Sequence, residues 1–305
     1  MFISVLICTY NRSSELERAI HSLLSSPNLD QPDWELVVVD NGSSDSTPSV
    51  CQLFANRFPE KFRSIVESRS GKSNALNTGL AVLKGDVIAL TDDDVLCDPG
   101  FIAGIRETFS STNADAAQGR VILDLEIPAP AWFGKECAAL LSERNYGEQI
   151  IDWNENLSGC NMILRRAAIQ QAGGFSPEIG AGAAGFMEDS EFSTRVRKNG
   201  SKLIYAPRIL VRHQIKRPSL TRANFLDRYF RWGRSAAFLT PLPAPLWRFG
   251  VFTAKQCLFL YSQSAFHSLM GRPGDAFKAR CAALHAYGYF YQHYRFARKL
   301  DAPFR

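Results

Sequence analysis

Three adjacent carboxylates, Asp92-Asp93-Asp94, directly follow the apolar run Val87-Ile88-Ala89-Leu90-Thr91. Neighbouring carboxylates repel each other unless a cation or hydrogen-bond donors compensate their charge. A hard divalent ion such as Mg²⁺ or Mn²⁺ is a natural partner, because it takes oxygen ligands and can bridge them to a diphosphate. The alternative is a solvated acidic turn that caps a helix beginning near Pro99. The position behind a strand-like run favours the metal-binding hypothesis.

Two other acidic positions could take part in chemistry. Asp40 ends the run Val37-Val38-Val39, where its carboxylate could accept a hydrogen bond from a ligand or satisfy the backbone donors of a turn. Glu188 and Asp189 follow a Gly/Ala-rich loop and open a predicted helix. A carboxylate there could act as a general base on a hydroxyl group. A helix N-terminus also favours acids through its dipole, so position alone favours a structural role.

Arg69, Lys72 and His213 complete the set of candidate side chains. Arg69 and Lys72 lie in one loop and could neutralise a diphosphate or remain solvated charges. That loop is not a Walker phosphate loop, because Val66 stands where the motif needs a glycine. His213 ends a strand-like run, and it would be a metal ligand only if folding brought it to the Asp cluster.

The predicted elements place these residues at the ends of strands. Up to residue 100, strands are predicted at 2–7, 34–40, 62–67 and 87–91, with helical periodicity between them. This alternation predicts an α/β fold with a mainly parallel, doubly wound sheet and helices on both faces. Ligands collect at the carboxyl ends of such strands. Four polar clusters lie there: Thr9-Tyr10-Asn11-Arg12, Asp40 to Asp45, Arg69 to Asn77, and Asp92 to Asp94.

The pattern beyond residue 100 is more mixed. Helices are predicted at 99–111, at 165–172 and from about residue 187, and strands near 117–123, 159–164 and 202–205. Beyond Pro218 the composition shifts to Arg and aromatic residues with a helical pattern. We therefore predict a C-terminal helical extension to the α/β fold.

Composition limits the class of protein. The 305 residues, 46% of them hydrophobic, suffice for one large α/β domain and an appendage. The net charge of +5 is too small to indicate nucleic-acid binding, and seven cysteines without paired spacing are typical of reduced thiols in the cytoplasm. Met1 to Tyr10 lacks a basic leader, so we interpret it as a first strand rather than a signal peptide. The sequence has no charge-free window of about 20 residues, so no transmembrane helix is predicted.

With these residues in place, the chain resembles the family 2 glycosyltransferases, which have the GT-A fold, over about residues 1 to 215. The resemblance rests on several motifs in the family's order: Val5 to Arg12, Val37 to Asp45, Gly71 through Asn74 to Gly79, Asp92-Asp93-Asp94 as an Asp-x-Asp motif, Gly159 to Met162, Gly173 to Phe175, and the pair Glu188-Asp189. A histidine near the metal in many members matches His213.

The resemblance implies roles for the candidate residues. Asp189, with Glu188 beside it, is implied as the catalytic base, and Asp94 with Asp92 or His213 as the holder of Mn²⁺ or Mg²⁺. A nucleotide-sugar-binding set is implied at Thr9, Tyr10, Asn11, Arg12, Asp40, Arg69, Lys72, Asn74, Asp92 and Asp93. Residues 1–100 then form the nucleotide-sugar-binding half, 101–217 the acceptor-binding half with the base, and 218–305 a helical basic and aromatic region. The stretch Gly180 to Gly185 is predicted to be a lid that orders over the donor.

The implied activity is inverting, metal-dependent transfer of one hexose from a nucleotide sugar to a hydroxyl of a glycan or lipid-linked acceptor, in cell-surface glycan or polysaccharide assembly. The resemblance favours UDP, with GDP and dTDP open. The chain lacks the Gln-x-x-Arg-Trp segment of processive synthases, so chain extension is not expected. The alternative is a catalytically silent nucleotide-sugar-binding or scaffold protein of a membrane glycan-assembly complex.

The C-terminal region leaves several partners open. Arginines alternate there with aromatic residues: Arg222, Arg228, Arg231 and Arg234 with Phe225, Tyr229, Phe230 and Trp232. Such a surface could bind anionic lipid, pack on the catalytic domain, or form a homodimer interface. The location expected is the cytoplasm, either free or peripheral at the inner face of the plasma membrane.

Overall fold

The structure is a computed structural model that describes residues 1–24, 27, 31–182, 185–241 and 245–300. Its strands are β1 (Ile3–Thr9), β2 (Trp34–Asp40), β3 (Phe62–Val66), β4 (Val87–Asp92), β5 (Val95–Cys97), β6 (Ala116–Leu125), β7 (Ile151–Asp152), β8 (Asn161–Arg165) and β9 (Leu203–Ile215). Its α-helices are α1 (Ser13–Leu24), α2 (Thr47–Arg57), α3 (Lys72–Val82), α4 (Phe101–Ser111), α5 (Lys135–Leu140), α6 (Arg166–Ala172), α7 (Glu188–Lys198), α8 (Arg222–Phe238), α9 (Leu246–Leu269) and α10 (Pro273–Ala297).

The chain divides into two compact units. The first consists of Met1–Asp124, Ser142–Pro177 and Glu188–Gln214, and the second of Leu125–Leu141, Glu178–Met187 and Ile215–Arg305. Residues 1–100 and most of 101–217 therefore contribute to the same unit, because their strands belong to one sheet.

The sheet has the strand order β3-β2-β1-β4-β8-β6-β9-β5, with β7 paired to β9. The strands β3, β2, β1 and β4 run parallel. Strand β8 joins β4 and β6 in antiparallel fashion, and β5 and β7 are antiparallel to β9. The predicted α/β class is confirmed, with a parallel half that carries the predicted strand–helix alternation and a second half that makes the sheet mixed.

Both faces of the sheet are covered, which explains why the strands are continuous apolar runs rather than alternating ones. All seven residues of β2 are buried. Val5 and Leu36 pack into a core that also contains residues of α1, α2 and α4. The intervening Leu6 and Val37 belong to a second core, which residues of α3, α6 and α7 complete.

Register aligns the strand ends on which the candidate site depends. Thr9 pairs with Asp40 of β2, and its neighbour Cys8 pairs with Asp92 of β4. The loops that follow β1, β2 and β4 therefore leave the sheet side by side. Strand β5, which the sequence pattern does not predict, continues from the Asp cluster and places Val95 opposite His213 of β9.

The second unit is helical, and its predicted C-terminal helices are confirmed. Helices α8 and α10 approach each other closely at Gly233, where a Cβ would lie 2.0 Å from the carbonyl oxygen of His285. Rings of Trp132, Phe225 and Phe277 make edge contacts in the same unit. None of the helices in the described part of the chain combines the length and apolarity that a membrane crossing requires.

Replacing Gly104 in α4 by alanine is expected to destabilise the protein. An added Cβ would lie 2.6 Å from the backbone oxygen of Arg208 in β9, and backbone cannot move aside as a side chain can. Overpacking of this kind costs about 1–3 kcal/mol and outweighs the gain of up to about 1 kcal/mol in helix propensity. Chemical denaturation measures the difference.

Gly274→Ala in α10 is the matched control, because the new Cβ would meet nothing within 4 Å. It should leave stability unchanged or raise it slightly. Equal stability of Gly104→Ala and the wild type would contradict the packing of α4 against β9.

Candidate active site

The loops after β1 and β2 are tied together by hydrogen bonds. Asn11 has a φ of +51°, a left-handed conformation that Asn tolerates better than most residues. Its Oδ1 accepts a hydrogen bond from the Ser44 backbone N at 2.7 Å, and its own backbone N donates to Ser43 Oγ at 2.8 Å. Asp45 in the second loop accepts from the backbone N of Ser13 at 3.1 Å. These contacts fix the start of α1 and hold Arg12 at the strand ends.

Asp93 is the buried member of the Asp cluster, with only 4% of its surface exposed. Thr9 Oγ1 donates to Asp93 Oδ2 at 2.8 Å, and Arg12 Nη1 donates to Asp93 Oδ1 at 2.9 Å. Burial raises the pKa of Asp93 to about 6, against the opposing charge of Arg12. These contacts make Asp93 an anchor of the turn.

Asp94 meets both a guanidinium and an imidazole. Arg12 Nη1 donates to Asp94 Oδ2 at 2.8 Å, and His213 Nε2 lies 3.4 Å from Asp94 Oδ1. Burial acts to raise the pKa of Asp94, but the hydrogen bond with His213 and the positive charge of Arg12 hold it below its usual range. Asp94 is therefore a carboxylate with an imidazole at its side, and the fold brings the predicted pair together.

Lys72 connects the Asp cluster with the start of α7. Its Nζ donates to Asp92 Oδ1 at 2.6 Å and lies 3.5 Å from Glu188 Oε1. Burial opposes the charge on Lys72, but Asp92 and Glu188 hold its pKa well above the usual value. Burial also raises the pKa of Glu188, even though Lys72 acts to lower it. One ammonium group thus compensates carboxylates from two distant segments of the chain.

Asp189 lies next to this ammonium group, at the N-terminus of α7. Its Oδ2 accepts from the Gly159 backbone N at 3.0 Å, and its Oδ1 accepts from the Ser190 backbone N at 2.7 Å. A Cβ built on Gly159 would lie 3.7 Å from Asp189 Oδ2 and 3.8 Å from Lys72 Nζ. The loop before β8 therefore packs against both groups. Oδ1 also accepts from Ser190 Oγ at 3.3 Å, whereas Oδ2 keeps a second lone pair for a further hydrogen bond.

The remaining predicted residues lie in loops around this centre. Asp40 is 3% exposed, and its Oδ1 accepts from the Ser43 backbone N at 2.9 Å, the turn contact that was one of its two interpretations. Arg69 binds Glu67 at 2.7 Å. Asn74 donates to the Ser70 carbonyl at 2.9 Å. Tyr10 has 58% of its surface exposed. Their predicted contacts with a nucleotide stay predictions.

The predicted lid, Gly180 to Gly185, includes two residues outside the described part of the chain, Ala183 and Ala184. Its role therefore stays a prediction as well.

The donor set near Asp94 fits a divalent cation that a substrate helps to hold. Among the described residues no three His, Cys, Asp or Glu side chains form a metal cage. Asp94 and His213 offer one oxygen and one nitrogen ligand close together. Mg²⁺ in phosphate-transfer sites is commonly bound by one or two carboxylates, with substrate phosphates and water completing the shell. The predicted third ligand, Asp92, contacts Lys72 instead.

The residues that support the site carry little signal in the sequence. The backbone N of Gly159 orients Asp189, and Ser43 and Ser44 hold the Asn11 turn. The only signal for Gly159 was its place in a short glycine-containing motif. Nothing in the spacing of Ser43 and Ser44 shows that their partner lies more than thirty residues earlier, at Asn11.

The comparisons with known proteins bear on this geometry. The model of the family described as glycosyl transferase family 2 matches residues 4–173. The chain belongs to this family. It is a glycosyltransferase that acts on nucleotide-sugar donors.

Two curated relatives illustrate the range of similarity within the family. A glucosyl-dolichyl phosphate glucuronosyltransferase from Haloferax volcanii is 26% identical over 223 residues, 70% of each chain. An uncharacterized glycosyltransferase from Nostoc sp. is 34% identical over 113 residues, and the match spans only 37% of this chain and 34% of that protein.

A solved structure shows the same fold. The mannosyltransferase PcManGT from Pyrobaculum calidifontis, in complex with GDP-Man and Mn²⁺, has a TM-score of 0.57 at 18% identity. The match covers 98% of this chain and 75% of the other. This structural similarity confirms the GT-A fold predicted for the chain.

Replacing Lys72 by methionine is expected to destabilise the protein by about 2 kcal/mol near neutral pH, because two partly buried carboxylates lose their cation. Burial raises the pKa of Glu188 and Lys72 acts to lower it, so the loss of Lys72 raises the pKa of Glu188 further. A group whose folded-state pKa is raised contributes stability at low pH and loses it as pH rises through that pKa. The deficit of Lys72→Met should therefore be smaller near pH 5 than near pH 8 in urea denaturation.

Lys84→Met is the matched control, because Lys84 is an exposed lysine of the same unit. It should change stability by less than about 0.5 kcal/mol. A deficit of Lys72→Met that is equal at both pH values would contradict the assigned charge compensation.

Proposed function

We propose that the protein is an inverting glycosyltransferase that moves one sugar from a nucleotide-sugar donor to an acceptor hydroxyl. Asp189 acts as the general base, and Asp94 and His213 would hold a divalent cation that supplies positive charge to the donor diphosphate. Residues 1–100 supply the donor side of the site, and the base comes from the acceptor half, 101–217.

The observation that carries this proposal is the convergence of side chains around Lys72. Its ammonium group touches Asp92 at the end of β4 and Glu188 at the start of α7. Asp94 lies two residues after Asp92 and contacts His213. Asp189 directly follows Glu188. The potential cation site and the potential base are therefore each within two residues of a carboxylate that contacts the same ammonium group, which is compatible with a sugar bound between a diphosphate and a hydroxyl.

Asp189 is suited to accept a proton from an incoming hydroxyl. Two backbone N–H groups orient its carboxylate, which reduces the entropy lost when a third partner binds. As the acceptor oxygen forms a bond to the anomeric carbon, its proton passes to Asp189, and the bond from that carbon to the diphosphate oxygen breaks. Attack opposite the leaving group inverts the anomeric configuration.

Positive groups line the side on which the diphosphate would leave. Arg12 reaches Asp93 and Asp94 while 49% of its side chain remains exposed, so it can also contact a ligand. Lys72 lies on Asp92, with 24% of its side chain exposed. Asp94 and His213 would hold a divalent cation, and such an ion would add positive charge to this side of the site. Together these groups would stabilise the negative charge of the leaving nucleotide.

The donor and acceptor are proposed from the relatives. The Pyrobaculum calidifontis enzyme binds GDP-Man and Mn²⁺, and the Haloferax volcanii enzyme acts on a glucosyl-dolichyl phosphate. We assign a UDP-linked hexose as donor, with a GDP-linked one as the competing case. The acceptor is a growing glycan, free or lipid-linked, in cell-surface glycan or polysaccharide assembly.

Replacing Asp189 by asparagine is expected to lower turnover by at least about 100-fold, because general-base catalysis typically contributes 10²–10⁴-fold. The amide keeps the shape of the side chain but cannot take the proton. Donor binding should persist, because Asp189 acts on the acceptor. Single-turnover transfer and donor titration by calorimetry measure the two effects separately.

Asp152→Asn, at an exposed position of β7, is the matched control and should transfer at the wild-type rate. Full transfer by Asp189→Asn would exclude it as the base. A wild-type protein that binds donor but neither transfers nor hydrolyses the sugar would instead support the catalytically silent scaffold.

Removing the cation is expected to reduce the stabilisation that a nucleoside diphosphate gives to the fold. A ligand that binds only the folded state raises the melting temperature, by an amount that grows with the logarithm of its concentration relative to its Kd. UDP with Mn²⁺ should raise it more than either alone, and EDTA should cancel the difference. Asp94→Asn and His213→Ala should each weaken the Mn²⁺-dependent shift, at least about tenfold in apparent affinity.

His21→Ala is the control for the histidine variant, because His21 is an exposed histidine of α1 that packs against Phe54. Its Mn²⁺-dependent shift should equal that of the wild type. An unchanged shift in both Asp94→Asn and His213→Ala would place the cation elsewhere. GDP in place of UDP tests the donor assignment in the same assay.

A further inference from the structure

Helix α9 carries its large apolar side chains on the outside. Eight of them are exposed, among them Leu258 at 74% and Leu269 at 87% of their surface: Trp247, Val251, Phe252, Leu258, Phe259, Tyr261, Phe266 and Leu269. The only fully buried residues of α9 are two small polar ones, Thr253 and Ser264. In a surface helix of a globular protein the large apolar side chains normally face the core, and the polar ones face water.

The exposed residues form one continuous face. Trp247, Val251 and Leu258 are spaced by four and seven residues, and Leu269 follows Leu258 by eleven, which are helical repeats that return to the same side. The opposite side of α9 faces α10. There Arg280 Nε donates to Ser264 Oγ at 2.9 Å, and Cys257 lies at the Ala283 carbonyl. We call the exposed side the apolar face of α9.

The surroundings of the apolar face are strongly basic. Between residues 215 and 300 the sequence has fourteen Lys and Arg but only two acids, Asp227 and Asp275. Arg248 and Lys255 are exposed and lie within the angular range of the apolar face itself. At its C-terminal end, Arg222 and Arg280 line a pocket of about 420 Å³ together with Ser268 and Gly271, next to Leu269.

We propose that α9 lies flat on the surface of a bilayer that contains anionic phospholipids, with its apolar face between the headgroups. Exposed aromatic and aliphatic side chains bury their area there, and neighbouring Lys and Arg meet the lipid phosphates. Long basic side chains such as Arg248 and Lys255 extend to the headgroups while their stems stay apolar.

Charge selects the bilayer over a second copy of the chain as the occupant of this face. Two copies that met through α9 would bring two strongly basic units together, and like charges repel. An anionic lipid surface has the opposite sign and attracts each added Lys or Arg. This inference does not depend on the proposed sugar-transfer chemistry.

The test is sedimentation with unilamellar vesicles of phosphatidylcholine, with and without phosphatidylglycerol. The full-length protein should bind the phosphatidylglycerol vesicles, more weakly as salt is added. The triple variant Leu258→Ser, Phe259→Ser, Leu269→Ser should bind on the order of 100-fold more weakly, because three large side chains no longer leave water. Lys255→Glu should weaken binding about tenfold at low salt.

Matched controls lie in the first unit. The triple variant Leu53→Ser, Val66→Ser, Val82→Ser removes exposed apolar side chains far from α9 in sequence, and Lys84→Glu reverses an exposed charge. Both should bind vesicles as the wild type does. Circular dichroism and UDP-dependent thermal stabilisation show that every variant folds and keeps its donor site.

Three outcomes would overturn the proposal. The α9 triple variant could bind as well as the wild type, or the wild type could ignore phosphatidylglycerol. Light scattering could also show that the wild type is a dimer and the triple variant a monomer, with no vesicle binding by either. That result would assign the apolar face to a second copy. In each case donor binding would remain intact, so the failure is distinct from failure of the proposed function.

Discussion

The site depends on the compensation of carboxylates that would otherwise repel each other. Asp92, Asp93 and Asp94 lie at the end of one strand, and Glu188 lies near Asp92 through tertiary contact. Lys72 forms ion pairs with Asp92 and Glu188, and Arg12 forms ion pairs with Asp93 and Asp94. Without these cations the same folding that gathers the acids would be opposed by their charge.

Each cation belongs to an element that the sheet positions. Arg12 follows β1, and Lys72 opens α3 after β3, so parallel register determines where both side chains meet the end of β4. A local sequence of apolar strands and polar loops is thus converted into an ion-pair network by the order of strands in the sheet. The same network is what a negatively charged ligand would meet, because its cations keep part of their surface exposed.

The parallel half of the fold follows closely from the sequence, because the apolar runs that predict its strands are local. The bounds of β2 follow from its buried run and the end at Asp40, and α2 lies in a stretch between strands where helical periodicity was predicted. The antiparallel half was harder. Strand β5 has three residues and β7 has two, too few for a periodic pattern, and both are stabilised by pairing with β9, which is distant in sequence.

The same limit applies to the site. That Asp92 to Asp94 end a strand could be inferred from the sequence, and the family resemblance named Asp189 and His213. The contacts that hold them could not be inferred. Lys72 was one loop charge among several until the fold placed it between Asp92 and Glu188, and Gly159 contributes a backbone N–H group that no side-chain pattern reveals.

Because β5 pairs with β9, the position of the His213 imidazole depends on the number of residues in β9. Val95 lies opposite His213, so the residue after the Asp cluster sets which side of β9 faces Asp94. Successive side chains of a strand point to opposite faces, and a slip of one residue exchanges them all. A single insertion or deletion in β9 ahead of His213 would turn Arg212 or Gln214 toward the carboxylate instead. Length variation along that strand ahead of His213 is therefore disallowed.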